Sequence, residues 1–359
     1  MLKALIPLAI SAALSTSVAA QETSFNHAYQ KYKDAVESGQ PAGQYAKAAY
    51  ALGVEKFGKD SVNVANLAIN YAGTLGVHSK ELREQRSELY QRALSIFAND
   101  KETSELAKID PLFGLAESAD GRIDTTDYLE QAIEVASKSK DFKLLADLRV
   151  NAAQVLIRRF HFKPHAMTQA REYLDKAESY YQSHVANNTL EYVRINLYQA
   201  IVHGARGNKN ESIERLTNVI KVFDDNLEFD HLLELQARSM LVELYEQKGD
   251  RDSATEHSLA IAKMRPWSDD AEQVPIYRVH PKYPISAARW GKEGWVEMQI
   301  TIDPAGLVEQ VTVLDSDGGS KFEREARKAV EQWRYAPKFE NGQPVAATTK
   351  VRLDFKLGS

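Results

Sequence analysis

Apolar residues recur at three- and four-residue spacing through most of this chain, from about Phe25 to Pro266, with glycine and proline gathered mainly between the runs. That period places the apolar positions of each run on one helical face. Leu145–Phe160, Leu190–Gly204 and Leu233–Lys248 are clear examples. Each precedes a second predicted helix marked by a large residue and a small aliphatic one three places on. These marks are Tyr90/Ala93, Leu129/Ala132, Leu174/Ala177 and Leu216/Val219, with a weaker copy at Ile261, at intervals of 39 to 45 residues. After Pro266 the pattern changes. "PWSDDAEQVPIYRVHPKYP" holds four prolines and reads as a linker. "YPISAARWGKEG" predicts a brief helix ending at Gly291 or Gly294.

Period two then takes over. Val296, Met298, Ile300 and Ile302 alternate with Trp295, Glu297, Gln299 and Thr301, a half-buried strand. Asp303-Pro304-Ala305-Gly306 supplies a turn, and Leu307–Leu314 returns with Val311 and Val313 on one face and a bulge near Glu309. Ser320-x-x-Glu323 reads as a capping box opening a helix. That helix carries Phe322, Ala326, Ala329, Val330 and Trp333 on one face and is stopped by Pro337. In the last strand Val351, Leu353, Phe355 and Leu357 point in, while Lys350, Arg352, Asp354 and Lys356 point out. The expected architecture is an α-helical solenoid followed by a small α+β domain of two-strand hairpin, helix and strand.

The helical period gives the solenoid its character. Gly249 ends one predicted helix, and the next starts near Asp250 to Ser253. Gly207 and Ser212 lie 42 residues before Gly249 and Ala254, and Ala170 lies 42 before Ser212. Small residues at such places let paired helices cross closely. The pattern resembles the tetratricopeptide repeat, although that repeat has a period of roughly 34 residues; HEAT-like pairs at about 40–47 are the alternative. Stacked helical pairs expose a long face that suits partner binding; a spacer or a dimerisation element is the other reading.

Composition narrows the compartment and the chemistry. Met1-Leu2-Lys3, the apolar run Ala4–Val18 and the small residues Val18-Ala19-Ala20 form a secretory signal layout with cleavage before Gln21. The run falls short of the roughly 20 apolar residues of a membrane span. No twin arginine is present. The expected location is the periplasm. The chain contains no cysteine, which removes thiol catalysis, thiolate metal sites and disulfides. With 45 Lys plus Arg against 50 Asp plus Glu, and only a faintly basic tail, it makes no case for nucleic acid. Phosphate-loop, H-E-x-x-H and G-x-S-x-G signatures are missing. His161 and His165 are four apart, but Pro164 between them interrupts a shared helical face. Asp315-x-Asp317-Gly318-Gly319 is too short for a calcium loop and reads as a turn. Neither a cofactor, a metal nor a small-molecule substrate is expected, and the chain is read as a non-enzyme.

The tail carries one further signal. Tyr283-Pro284, Ala287-Ala288, Gly294-x-Val296, Ile302-Asp303-x-x-Gly306-x-Val308, Phe322 with Ala326, Trp333-Arg334-Tyr335-x-Pro337, Gly342-x-Pro344 and the final Val-x-Leu-x-Phe strand run through every predicted element in order. Together they resemble the TonB C-terminal domain family over roughly Pro275 to Leu357. The resemblance implies a module that captures the TonB box of outer-membrane transporters by pairing it with an exposed edge strand. It implies partner contacts at His280, Pro281, Lys282, Tyr283 and Pro284, and along the last strand at Thr348, Lys350, Arg352, Asp354 and Phe355. The outward charges of that strand equally suit protection of an edge from aggregation. Direct energy transducers of the family carry an uncleaved membrane helix and a proline-rich spacer. Here a predicted leader and a helical array stand in those places. The expected organisation is a signal peptide at 1–20, helical repeats at 21–266, a linker at 267–278 and the TonB-like domain at 279–359. The expected role is a periplasmic adaptor, binding TonB-dependent transporters through the tail and a membrane-anchored TonB or motor component through the repeats. A structural envelope scaffold, and a direct transducer with Met1–Ala20 retained as anchor, are the alternatives.

Overall fold

The computed structural model describes residues 24–160, 163–226, 231–265 and 273–357. The leader expected at 1–20, His161 and residues 267–272 of the expected linker lie outside the described residues. The chain divides into two compact units between Val185 and Ala186.

The first unit is helical. α1 runs through 24–37, followed by α2 (Gly43–Phe57), α3 (Val62–Thr74), α4 (Lys80–Asn99), a 3₁₀ turn at Glu105–Lys108, α5 (Ile109–Ser118), α6 (Arg122–Lys138), α7 (Phe142–Phe160) and α8 (Pro164–His184). Hydroxyl caps set two starts: Ser61 accepts from Val64 N at 3.3 Å and Ser79 from Leu82 N at 3.2 Å. Pro164 is the first residue of α8, where its missing N–H costs nothing. From α2 to α8 each helix packs on the next, and α3 also touches α5 as α5 touches α7. Contacts between alternate helices are what stacked helical hairpins produce.

The second unit opens with α9 (Leu190–Ala205), α10 (Lys209–Asn226), α11 (Leu232–Lys248) and α12 (Arg251–Met264), again packed in succession. Val193, Leu197, Leu216, Val219, Phe223, Leu241 and Leu244 form one core among α9, α10 and α11. The repeat marks read from sequence all lie on the second helix of a pair, and Tyr90, Ala93, Leu129, Ala132, Leu174, Ala177, Leu216, Val219 and Ile261 are all buried. Ser212 is wholly buried and donates its hydroxyl to the Ala200 carbonyl at 2.8 Å, so α9 and α10 cross at a small residue. Gly249 closes α11 in the left-handed conformation, and Asp250 caps α12 by accepting from Ser253 N at 3.2 Å. The helical region is tetratricopeptide-like. Its long period follows from helix length, since α7 and α8 have 19 and 21 residues.

After α12 come α13 (Ile285–Arg289), β1 (Gly294–Ile302), β2 (Val308–Asp317), α14 (Ser320–Val330), β3 (Lys338–Glu340), β4 (Gln343–Val345) and β5 (Ala347–Phe355). The main sheet is antiparallel, in the order β2-β1-β5. Val296, Met298, Ile300 and Ile302 of β1 pack with Phe322, Ala326 and Val330 of α14 and with Val351, Leu353 and Phe355 of β5. A bulge falls at Glu309, because Thr301 pairs with Gln310 and Ile302 with Val308. A second one isolates Leu314.

Four local expectations are corrected. Ser320 is the first residue of α14 and not its cap. Gly319 occupies the cap position without a side-chain bond, and the Glu323 carboxylate instead accepts from Ser316 Oγ at 2.6 Å. The helix ends at Val330, ahead of Pro337, and Trp333 is buried beyond its end. Asp315 and Asp317 belong to β2, paired with Glu297 and Trp295, so the turn is left to Gly318 and Gly319. Leu357 lies past the end of β5 and is exposed, because no strand partner remains there to hold it inward.

Candidate functional site

The residues singled out along the tail fall in two places. The first is the segment leading into α13. Ile276 N and Tyr277 N donate to the Arg334 carbonyl at 2.7 and 3.1 Å, and Arg334 N returns a bond to the Tyr277 carbonyl at 3.0 Å. Trp333 Nε1 donates to the Val279 carbonyl at 2.8 Å, and the Arg278 guanidinium lies 4.7 Å from the Trp333 ring centre. The chain therefore enters His280 from a fixed direction. His280 and Lys282 are exposed, Pro281 and Tyr283 half-buried, and Pro284 buried. Tyr283 donates its hydroxyl to the Lys292 carbonyl at 2.6 Å. Desolvation, and then the Glu293 carboxylate, push that hydroxyl's pKa up, which keeps it a donor.

The second place is β5, at the edge of the sheet. It pairs with β1 from Ala347 to Phe355 without a register shift. β2, at the opposite edge, is interrupted by its two bulges. Bulges spoil an edge for further pairing, whereas an unbroken strand offers a regular row of N–H and C=O groups. Thr348, Lys350, Arg352 and Asp354 are exposed on one face of β5. The Phe355 side chain is buried, its ring centroid 4.5 Å from that of Phe322, so only its backbone is open to a partner. Tyr283 joins the two places by packing edge-on to Phe355 at 5.8 Å. Thr348 and Lys350 stand toward the far end of a strand roughly 27 Å long.

Two features of this surface escaped the sequence reading. Arg352 lies 4.1 Å from the Trp295 ring centre and is 3.2 Å from Asp354, so its charge is already engaged. Cross-strand pairing of Trp295 with Asp354 creates that arrangement, and register is not visible in one strand's pattern. The short β3–β4 hairpin was also missed, although Asn341-Gly342 is a strong two-residue turn signal. It precedes β5 and sets where that strand begins.

Residues 279–357 match the family model described as Gram-negative bacterial TonB protein C-terminal. Protein TonB of Pseudomonas aeruginosa is 33% identical over 89 residues, which are 25% of this chain and 26% of that protein. Protein TonB of Escherichia coli K12 is 37% identical over 82 residues, 23% of this chain and 32% of that protein. The chain thus spans a quarter to a third of the curated TonB proteins it matches. The match to the TonB C-terminal model takes in both candidate places, Tyr283 with its neighbours and the whole of β5. Over 68% of the chain, the crystal structure of BtubC from P. vanneervenii aligns with a TM-score of 0.50 at 13% identity, covering 91% of that protein, which is a likeness of fold. Among the described residues, no helix is long and apolar enough to cross a membrane.

Proposed function

We propose that this protein is a periplasmic adaptor in TonB-dependent outer-membrane transport. Its β5 edge takes up an extended segment of a transporter, the TonB box, as an added strand. The backbone of Thr348 to Phe355 supplies the main-chain hydrogen bonds. Thr348, Lys350, Arg352 and Asp354 line one face of the incoming strand, and His280, Pro281, Lys282, Tyr283 and Pro284 form the rim at the Phe355 end. The tetratricopeptide-like helices dock a second protein, a membrane-anchored TonB or a motor component, which supplies the force. A leader cut before Gln21 delivers the chain to the periplasm. One observation carries this reading: a TonB C-terminal match whose last strand is an unbroken edge.

The reading is tested with the full-length protein and a fluorescein-labelled TonB-box peptide from a transporter of the same organism. Saturable binding that a proline at Val351 weakens at least tenfold is expected, since proline removes a donor and distorts the strand. Absence of binding to every box peptide tried, by a protein with wild-type circular dichroism, overturns it. Intact mass from the native envelope tests the location: a chain beginning at Gln21 is expected, and one retaining Met1 in the inner membrane contradicts the adaptor.

A further inference from the structure

Arg334 lies within the TonB-like domain, yet its counter-charge does not. The side chain is fully shielded from water. A buried guanidinium is tolerated only with a partner charge and satisfied N–H groups. Its backbone is tied into the domain through Ile276, Tyr277 and Leu307. The side chain instead reaches the last helical hairpin. Nε forms an ion pair with Glu246 of α11, itself almost fully buried. Nη1 donates to Thr255 Oγ1 of α12 at 2.9 Å and to the Ala305 carbonyl at 3.0 Å, and Nη2 approaches the Arg251 carbonyl at 3.4 Å. Glu246, Arg251 and Thr255 flank the Gly249-Asp250 turn, so one hairpin tip presents a carboxylate, a carbonyl and a hydroxyl together. Tyr277 reports the same approach: burial, followed by Glu246 and Glu243, pushes its hydroxyl pKa up.

We propose that the α11–α12 hairpin is a structural part of the C-terminal domain, supplying the charge that Arg334 requires, so that hairpin and sheet fold and unfold together. The domain boundary at residue 279 therefore cuts through a cooperative unit. Any load on β5 enters α11 and α12 through the Arg334 cluster as well as through the connecting chain. The inference stands whatever β5 binds.

Hydrogen exchange on the full-length chain tests it. Glu246→Ala leaves the guanidinium buried without its counter-ion, and amides of β1 and β5 are expected to exchange roughly a hundredfold faster, although they lie far along the chain. Glu246→Gln, which keeps a hydrogen-bonding group, is expected to give a smaller acceleration of about tenfold. Exposed Gln247→Ala on the same helix serves as control and leaves the strands as they were. Pairing Glu246→Leu with Arg334→Met removes both charges and is expected to recover most of the protection, because breaking a buried pair costs more than replacing it. Faster exchange confined to α11 and α12, with the strands unchanged in both Glu246 variants, overturns the proposal. So does loss of strand protection in Arg334→Met that the Glu246 variants do not share, since the α11 carboxylate would then not be the charge that Arg334 requires.

Discussion

Single residues decide the geometry of the sheet. Gly306 has a φ of +85°, and a Cβ there would stand 2.2 Å from the Tyr335 carbonyl oxygen. Its own carbonyl accepts from Tyr335 N at 2.8 Å, so the β1–β2 turn and the strand-like stretch after α14 approach backbone to backbone. Gly306→Ala combines a left-handed backbone, about 1–2 kcal/mol for a residue with a Cβ, with a clash that neither chain can relieve by rotating a side chain. A loss of at least ~2 kcal/mol in urea unfolding of the full-length chain is expected. An unchanged midpoint would mean that the turn is free to move. The turn itself was legible, because Asp-Pro-Ala-Gly announces it. The reason glycine is needed was not, since Tyr335 arrives from 29 residues away. Ser320 shows the opposite failure. It has the composition of a cap, but the Gly318-Gly319 turn enters the helix one residue earlier and takes its place.

At the scale of elements, periodicity foretells the later helices and the three strands of the main sheet. Leu145–Phe160, Leu190–Gly204 and Leu233–Lys248 are helices within a few residues of the spans read from sequence. Their partners carry the small residues that close crossings need. Leu174 of α8 is fully buried, and Leu174→Ala is expected to cost about 2–5 kcal/mol through lost burial and the cavity left behind. Urea unfolding measures it. A cost below ~1 kcal/mol would show that the α7–α8 pair repacks freely. The α11–α12 hairpin carries a pH dependence. His257 stacks on Tyr245 with ring centroids 5.8 Å apart, and burial, with Arg238 next, holds its pKa below the ordinary value of 6.5. Glu256 and Asp224 oppose that shift. The unfolded chain therefore takes up a proton before the folded one as pH falls. Stability is expected to be level above pH 6.5 and to decline as pH falls from there through the folded pKa. His257→Gln should flatten the decline below pH 6.5, as read by exchange of the α11 and α12 amides. An unaltered slope would assign the dependence to other groups. Register and edge geometry were the parts that periodicity could not supply. The bulge at Glu309 was foreseen from a broken alternation, while the one at Leu314 and the pairing of Trp295 with Asp354 depend on which strands become neighbours.

For the whole molecule, a chain without cysteine builds a tetratricopeptide-like helical region and a TonB-like α+β domain. The β5 edge was legible because the family resemblance and the strand pattern point to the same strand, whereas His280 to Pro284 were named by the resemblance alone. The organisation of the site was not, because Tyr283 packs on Phe355 of β5 and the fold alone makes that contact. In the proposed function, β5 captures a strand from a transporter. The native absence of cysteine allows a direct test, with single cysteines at Thr348, Thr349, Lys350, Val351 and Arg352 of the full-length chain and matched cysteines along a transporter's TonB box. Disulfides forming at register-matched positions, and advancing by two along the box for every two along β5, are expected of an added strand. Crosslinks that avoid β5, or that form equally from Gln310 and Thr312 on the bulged edge, would contradict strand capture at this site.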